Sequence, residues 1–171
     1  MLNRSRDTPS NPRRQVRIVV GLAWPKTTPR DRRFRLGEPW PTIHELISTG
    51  AQRGVGNRGY RVALLRAASE GSVLSGVLRS LQHADIAVFD VTPHRGSVNA
   101  NVLVEIGLAR GIGLNPILIA RTTDAHTHLP SDLRGITVRC YDRANPIDQT
   151  SIRSLVRSRA KKAGGPDISR D

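Results

Sequence analysis

Short, almost unbroken apolar runs alternate with segments of helical periodicity along the chain, and this alternation limits what it can fold into. The first run, "VRIVVGLAW" (16–24), is rich in β-branched residues. An apolar stretch of that kind suits a strand covered on both faces. "PTIHELISTGAQRG" (41–54) then opens on proline, closes on glycine and sets Ile43, Leu46 and Ile47 on one face, as a helix packed on such a strand should. The pattern continues with a strand at "YRVALLRA" (60–67) and a helix at "SVLSGVLRSLQHA" (72–84), where Val73, Val77, Leu78 and Leu81 recur at helical spacing. A strand at "DIAVFDV" (85–91), a helix at "NANVLVEIGLARGIG" (99–113) and strands at "NPILIAR" (115–121) and "GITVRCYD" (135–142) follow. The last helix, "SIRSLVRSRAKK" (151–162), places Ile152, Leu155 and Val156 on one side and cations toward its end, where the helix dipole favours them.

Such an order predicts an α/β fold: a single flavodoxin-like, doubly wound parallel sheet of about five strands with helices on both faces. The 171 residues suit one domain over 15–163, flanked by a disordered basic lead-in (1–14) and a disordered tail (164–171). Cys140 is the single cysteine, so no internal disulfide can form, and no His/Cys cluster has zinc spacing. Neither a signal-peptide h-region nor a membrane-length apolar run is present, which makes a soluble cytoplasmic protein the expectation.

The net charge of +13 is unevenly spread. Residues 1–35 hold ten Lys/Arg against two acids, residues 36–150 eleven against ten, and residues 151–171 six against two. The basic termini are suited to weak, salt-dependent contact with nucleic acid, but the middle of the chain is nearly neutral and aromatics are too few for a stacking platform.

In sheets of this kind ligands bind beyond the carboxyl ends of the strands, at a switch point in strand order. Asp90, Thr92, Arg121 and Asp142 fall at or just past strand ends. Between them, "FDVTPHRGSVNANVLVEIGLARGIG" (89–113) sets an acidic residue near each end of an otherwise mostly apolar framework. Asp90 closes a strand, Thr92 and Ser97 bring hydroxyls to the loop, and Gly96 allows a tight path. On the following helix Asn101, Glu105, Leu108 and Ile112 share one stripe, beside Val102, Ile106 and Ala109. Glu105 is thus a candidate base or nucleophile, with burial raising its pKa and the helix N-terminus lowering it. Equally, Glu105 can be a solvated helix residue and Asp90 a strand-end cap. His94 reads as a loop residue, and His126 and His128 as part of a mobile polar loop rather than a metal pair. Asp132 and Arg134 in "SDLRG" either make a turn or reach toward the crevice. No GxGxxG or Walker sequence occurs.

Taken together, "ADIAVFDVT", "NANVLVEIGLARGIGLNPILIA" and "SDLRGITVRCYD" resemble motifs of the nucleoside 2-deoxyribosyltransferase-like superfamily, including its TIR-like predicted nucleotide-binding members, over residues 58–142. The resemblance implies a domain that binds a nucleotide or nucleoside and breaks or transfers its N-glycosidic bond, with Glu105 as nucleophile, Asp90 as acid or ribose ligand and Asn101 as orienter. It also implies ligand contacts from Trp24, Thr92, Ser97, Asn99, Asp132 and Arg134. Neither cofactor nor metal is implied, and a homo-oligomer is compatible with it. The loop departs from the family pattern where Asn99 and Asn101 stand in place of a second acid, and Trp24 fills the aromatic position by order alone. If the second carboxylate is missing, the alternative is a TIR-like nucleotide-sensing or interaction module without turnover. The Arg-rich loop at 26–35 suits a phosphate clamp.

Overall fold

The computed structural model describes residues 15–22, 39–56, 59–65 and 73–164. Strands β1 (Val16–Gly21), β2 (Tyr60–Leu64), β3 (Ile86–Asp90), β4 (Ile117–Ala120) and β5 (Val138–Cys140) form one parallel sheet in the order β2-β1-β3-β4-β5. Helices α1 (Pro39–Val55), α2 (Val73–Gln82), α3 (Ala100–Gly111) and α4 (Pro146–Gly164) cover it, which is the flavodoxin-like arrangement expected.

Because successive strand residues face opposite sides, β1 and β3 each feed two cores. Val16, Ile18, Val20, Ile86 and Val88 pack with Ile43 and Ile47 of α1 and Ile152 and Val156 of α4. Val19, Ala87 and Phe89 pack with Val77 and Leu81 of α2 and Val102, Ile106 and Ala109 of α3. Every residue of β3 is buried, which accounts for its unbroken apolar run. Asp85 fixes where β1 and β3 begin to pair, since its carboxylate accepts from the Arg17 N–H at 2.8 Å and its own N–H donates to the Arg17 carbonyl at 2.8 Å.

Several boundaries depart from the sequence reading. The strands are shorter than their apolar runs, β1 ending at Gly21 and β2 at Leu64. Helix α4 begins five residues before Ser151, with Pro146 at its first position and Asp148 in its first turn. The segment of His126 and His128, expected as a mobile loop, forms a 3₁₀ turn (Ala125–His128) anchored by the buried Ala125 and Leu129. Among the described residues no group of side chains could hold a metal ion, and no helix is long and apolar enough to cross a membrane. The lead-in 1–14, the Arg-rich loop 26–35, Trp24 and residues 165–171 lie outside the described residues, while Gly164, placed by sequence in the tail, ends α4.

Helix α3 stops on a Schellman motif. The Gly113 N–H donates to the Arg110 carbonyl and the Leu114 N–H to the Ala109 carbonyl, with Gly113 at φ 84°. Helices α1 and α4 approach through glycine. A side chain on Gly50 would place its Cβ 2.7 Å from the Arg153 carbonyl oxygen and 3.0 Å from Val156. Alanine would favour the α1 helix by about 1 kcal/mol, but the obstructing atom is backbone and cannot rotate away. Gly50→Ala should therefore destabilise the protein by roughly 1–3 kcal/mol, as overpacking does. Urea denaturation that finds it as stable as wild type would mean the two helices can slide apart freely.

Candidate functional site

The chain winds one way from β1 through α1 to β2, and the other way from β3 to β4 and β5. The carboxyl ends of β1 and β3 therefore border the crevice that this topology creates. Gly21 closes β1 there. A Cβ at Gly21 would lie 2.5 Å from Cδ1 of Phe89 and 2.8 Å from Oε2 of Glu105, so glycine is required by the close approach of both side chains. The Glu105 carboxyl thus reaches from α3 to the end of β1.

Glu105 is half-buried, and no hydrogen bond or ion pair reaches its carboxyl among the described residues. Burial pushes its pKa up to about 7. Near neutrality the group is divided between an acid that donates a hydrogen bond and a carboxylate that accepts one.

Asp90 is differently placed. It is buried, and one carboxylate oxygen accepts from both the N–H (3.0 Å) and the hydroxyl of Thr92 while the other accepts from the Tyr141 hydroxyl at 3.4 Å. Thr92 in turn accepts from the Arg121 N–H at 2.9 Å. Burial first, and then the charge of Asp90, drive the Tyr141 phenol well above its usual range, so it stays a donor. This network ties the carboxyl ends of β3, β4 and β5 together. Asp90 accepts from the backbone N–H two residues on, as a cap of its own strand end does.

The β3–α3 loop begins with a tight hairpin at His94–Ser97. Arg95 (φ 51°) and Gly96 (φ 80°) both take positive φ, and the His94 and Ser97 backbones exchange hydrogen bonds of 2.9 and 3.2 Å. Positive φ at both central residues defines a type I′ turn. A ring nitrogen of His128 lies 3.1 Å from the Gly96 carbonyl, which links this turn to the segment after β4. Asn99 caps α3, its side chain accepting from the Asn101 N–H at 2.9 Å, and Asn101 itself is exposed. Arg134 donates to the Leu129 carbonyl at 3.1 Å, and Asp132 is exposed beside Ser131. The structure therefore unites Asp90 and Thr92 in one network and sets Glu105 apart from them at β1. Asn99 and Arg134 are engaged with backbone.

Sequence reasoning overlooked three residues at this edge. Gly21 carries no sequence signal of its close contacts. Tyr141 stood unremarked in an expected strand. Trp40 lies in the first turn of α1, half-buried against the α1/α4 core, with its ring centroid 5.2 Å from that of His44. The proline-rich helix start was visible, and an aromatic there was the available clue.

No protein-family model and no curated protein matches the chain in sequence. Solved structures do match in fold, and two of them illustrate the likeness. One is the flavoenzyme NAD(P)H:(acceptor) oxidoreductase FerB from Paracoccus denitrificans, at 13% identity and a TM-score of 0.51, covering 88% of this chain and 100% of that one. The other is an NADH:FMN oxidoreductase, EMOB, in its apo form, at 10% identity and a TM-score of 0.54, covering 91% and 93%. At such identities the likeness is one of fold.

These findings overturn the deoxyribosyltransferase-like resemblance. These two fold neighbours are named as a flavoenzyme oxidoreductase and an NADH:FMN oxidoreductase, no family model supports the motifs, and the N-glycosidase or transferase reading falls together with the TIR-like sensing reading. The physical reason lies in what the motif residues do. Asp90 caps its own loop and Asn101 is an exposed residue of the first turn of α3, roles that many strand-to-helix turns contain, so such short motifs recur without shared chemistry.

Removing the Asp90 carboxylate leaves the buried Thr92 N–H and hydroxyl without that acceptor. Asp90→Ala should therefore lower stability by about 1–3 kcal/mol, which chemical denaturation would measure. Glu105 makes a different prediction. Its folded pKa of about 7 exceeds the ordinary 4.5, so its contribution to stability is fully present below pH 4.5 and is lost as pH rises through 7. Thermal melts of wild type should show this decline, and Glu105→Gln should remove that part of it. Parallel pH profiles for the two proteins would contradict a buried, titrating Glu105.

Proposed function

We propose that this chain binds a flavin-type nucleotide at the carboxyl edge of its sheet, as a redox protein of the NAD(P)H:flavin oxidoreductase kind. The observation that carries the reading is the placement of the Glu105 carboxyl, without a partner among the described residues, at the β1/β3 switch point, where flavodoxin-like sheets receive flavin mononucleotide. The names of the two fold neighbours agree with that ligand class.

The residues at this edge fit such a ligand in chemical kind. Leu22 and Trp40 supply apolar and aromatic surface on the α1 side of β1, and Glu105 supplies a polar group on the α3 side. Arg121, exposed at the end of β4, adds a cation suited to a phosphate or to an electron-rich ring edge. When bound, a flavin supplies reversible hydride and single-electron exchange.

The chain's own part is binding and proton placement. Glu105 in its acid form donates a hydrogen bond to a ligand carbonyl or ring nitrogen and adds no negative charge beside a phosphate-bearing molecule. As a carboxylate it accepts from a ring N–H but repels the phosphate. The Asp90–Thr92–Tyr141 network keeps the neighbouring strand ends fixed so that this placement is retained. A cytoplasmic location suits the lone buried thiol of Cys140.

Titration of the protein into flavin mononucleotide should give saturable quenching of flavin fluorescence, tighter than with riboflavin. Affinity should weaken as the pH rises from about 6 to about 8 and Glu105 ionises, whereas Glu105→Gln should bind with little pH dependence. Absence of quenching by well-folded wild type would sink the proposal.

A further inference from the structure

The opposite edge of the sheet, formed by strand starts and helix ends, has a character of its own. All four helices carry a base in their last turn: Arg53, Arg79, Arg110 and the Lys161–Lys162 pair. None of these last turns holds an acid. The second residues of β1 and β2 are Arg17 and Arg61, both exposed. Among the described residues next to the strand starts, the acid is Asp85, which is engaged with the Arg17 N–H.

Cations at helix ends complement the helix dipole, and that alone would explain one base per helix. Two features exceed it. Arg17 and Arg61 are register partners on adjacent parallel strands, where neighbouring backbones lie about 4.8 Å apart and like charges oppose pairing. Arg157 and Lys161 repeat the conflict at i,i+4 on α4, and Gly54 of α1 abuts both residues' backbones, which brings Arg53 to the same corner. Like charges crowded this way destabilise the isolated protein and are relieved by a polyanion.

We propose that this amino edge is a docking surface for the phosphodiester backbone of a nucleic-acid duplex. The surface belongs to the folded domain, at the far edge from the proposed flavin site, and the inference does not depend on that site. Arginine dominates it, and the guanidinium fork matches phosphate oxygens. A membrane is the poorer fit. Among the described residues the exposed large hydrophobics are Val73, Leu74, Val104, Ile112 and Ile147, of which Ile112 alone lies at a helix end on this edge, and interfacial binding needs an apolar face. The Tyr60 side chain is half-buried, so base stacking is not offered and binding should tolerate any sequence.

The test is fluorescence anisotropy of the full chain with mixed-sequence DNA and RNA duplexes of about 20 base pairs, over a salt series. Wild type should bind at low salt with affinity falling linearly in log–log form. Arg53→Gln/Arg157→Gln/Lys161→Gln/Lys162→Gln should lose about tenfold or more in affinity and about 0.9 in slope for each phosphate contact removed. Arg17→Gln/Arg61→Gln should weaken binding without loss of thermal stability, and Arg143→Gln, exposed at the other edge, should bind as wild type does. Unchanged binding by the quadruple variant would assign the duplex to the basic flanks and overturn the proposal. So would an absence of duplex binding by wild type, or binding to phosphatidylglycerol vesicles in place of duplex.

Discussion

Val20 of β1 lies in register with Val88 of β3, and Val19 with Ala87, so the two central strands present paired side chains to both helical layers at once. The helices occupy their positions because those faces must be kept from water. Burying a side chain such as Ile18, Ile43 or Phe89 contributes on the order of 1.5–3 kcal/mol, and neither layer can be removed without exposing the β1–β3 pair. This pairing is also where the winding reverses. The element that anchors the core is therefore the one that opens a crevice at its carboxyl end.

The carboxyl edge carries two carboxyl groups that hydrogen bonding has turned to different ends. Asp90 is satisfied by Thr92 and Tyr141 and holds strand ends together. Glu105 reaches β1 without such partners among the described residues and is left near its midpoint at neutral pH. Hydrogen bonding separates the roles more than depth does, since a carboxylate already accepting from a backbone N–H has less capacity left for a ligand. At the other edge the chemistry is coulombic and exposed, with arginines and lysines on strand starts and helix ends.

Much of the fold was legible because it rests on patterns of apolar residues. The β3 run "IAVFD" reads as a doubly covered strand, and Val102, Ile106 and Ala109 form the buried stripe of α3 that their spacing indicates. The start of α4 was less visible. Ile147 is 81% exposed, so its apolar character misleads, and Pro146 and Asp148 were the signals to follow. The site was legible only as candidates. Sequence places Asp90 and Glu105 near one edge, but whether a carboxylate is engaged by its own loop depends on a rotamer and on Tyr141, fifty-one residues away. Trp24 lies outside the described residues, and Trp40, in the first turn of α1, is packed against the α1/α4 core. The motif resemblance misled because capping residues recur wherever a strand turns into a helix.

The close of α4 against the start of β1 has one more consequence. A Cβ on Gly164 would lie 2.7 Å from Val55 and 3.2 Å from Val16, so the last described helical residue sits beside the first strand. The covalent order of the elements is therefore incidental to their packing. A short bridge across these neighbours would let the chain be reopened at an exposed turn elsewhere, and the same two cores would be expected to assemble from a circularly permuted sequence.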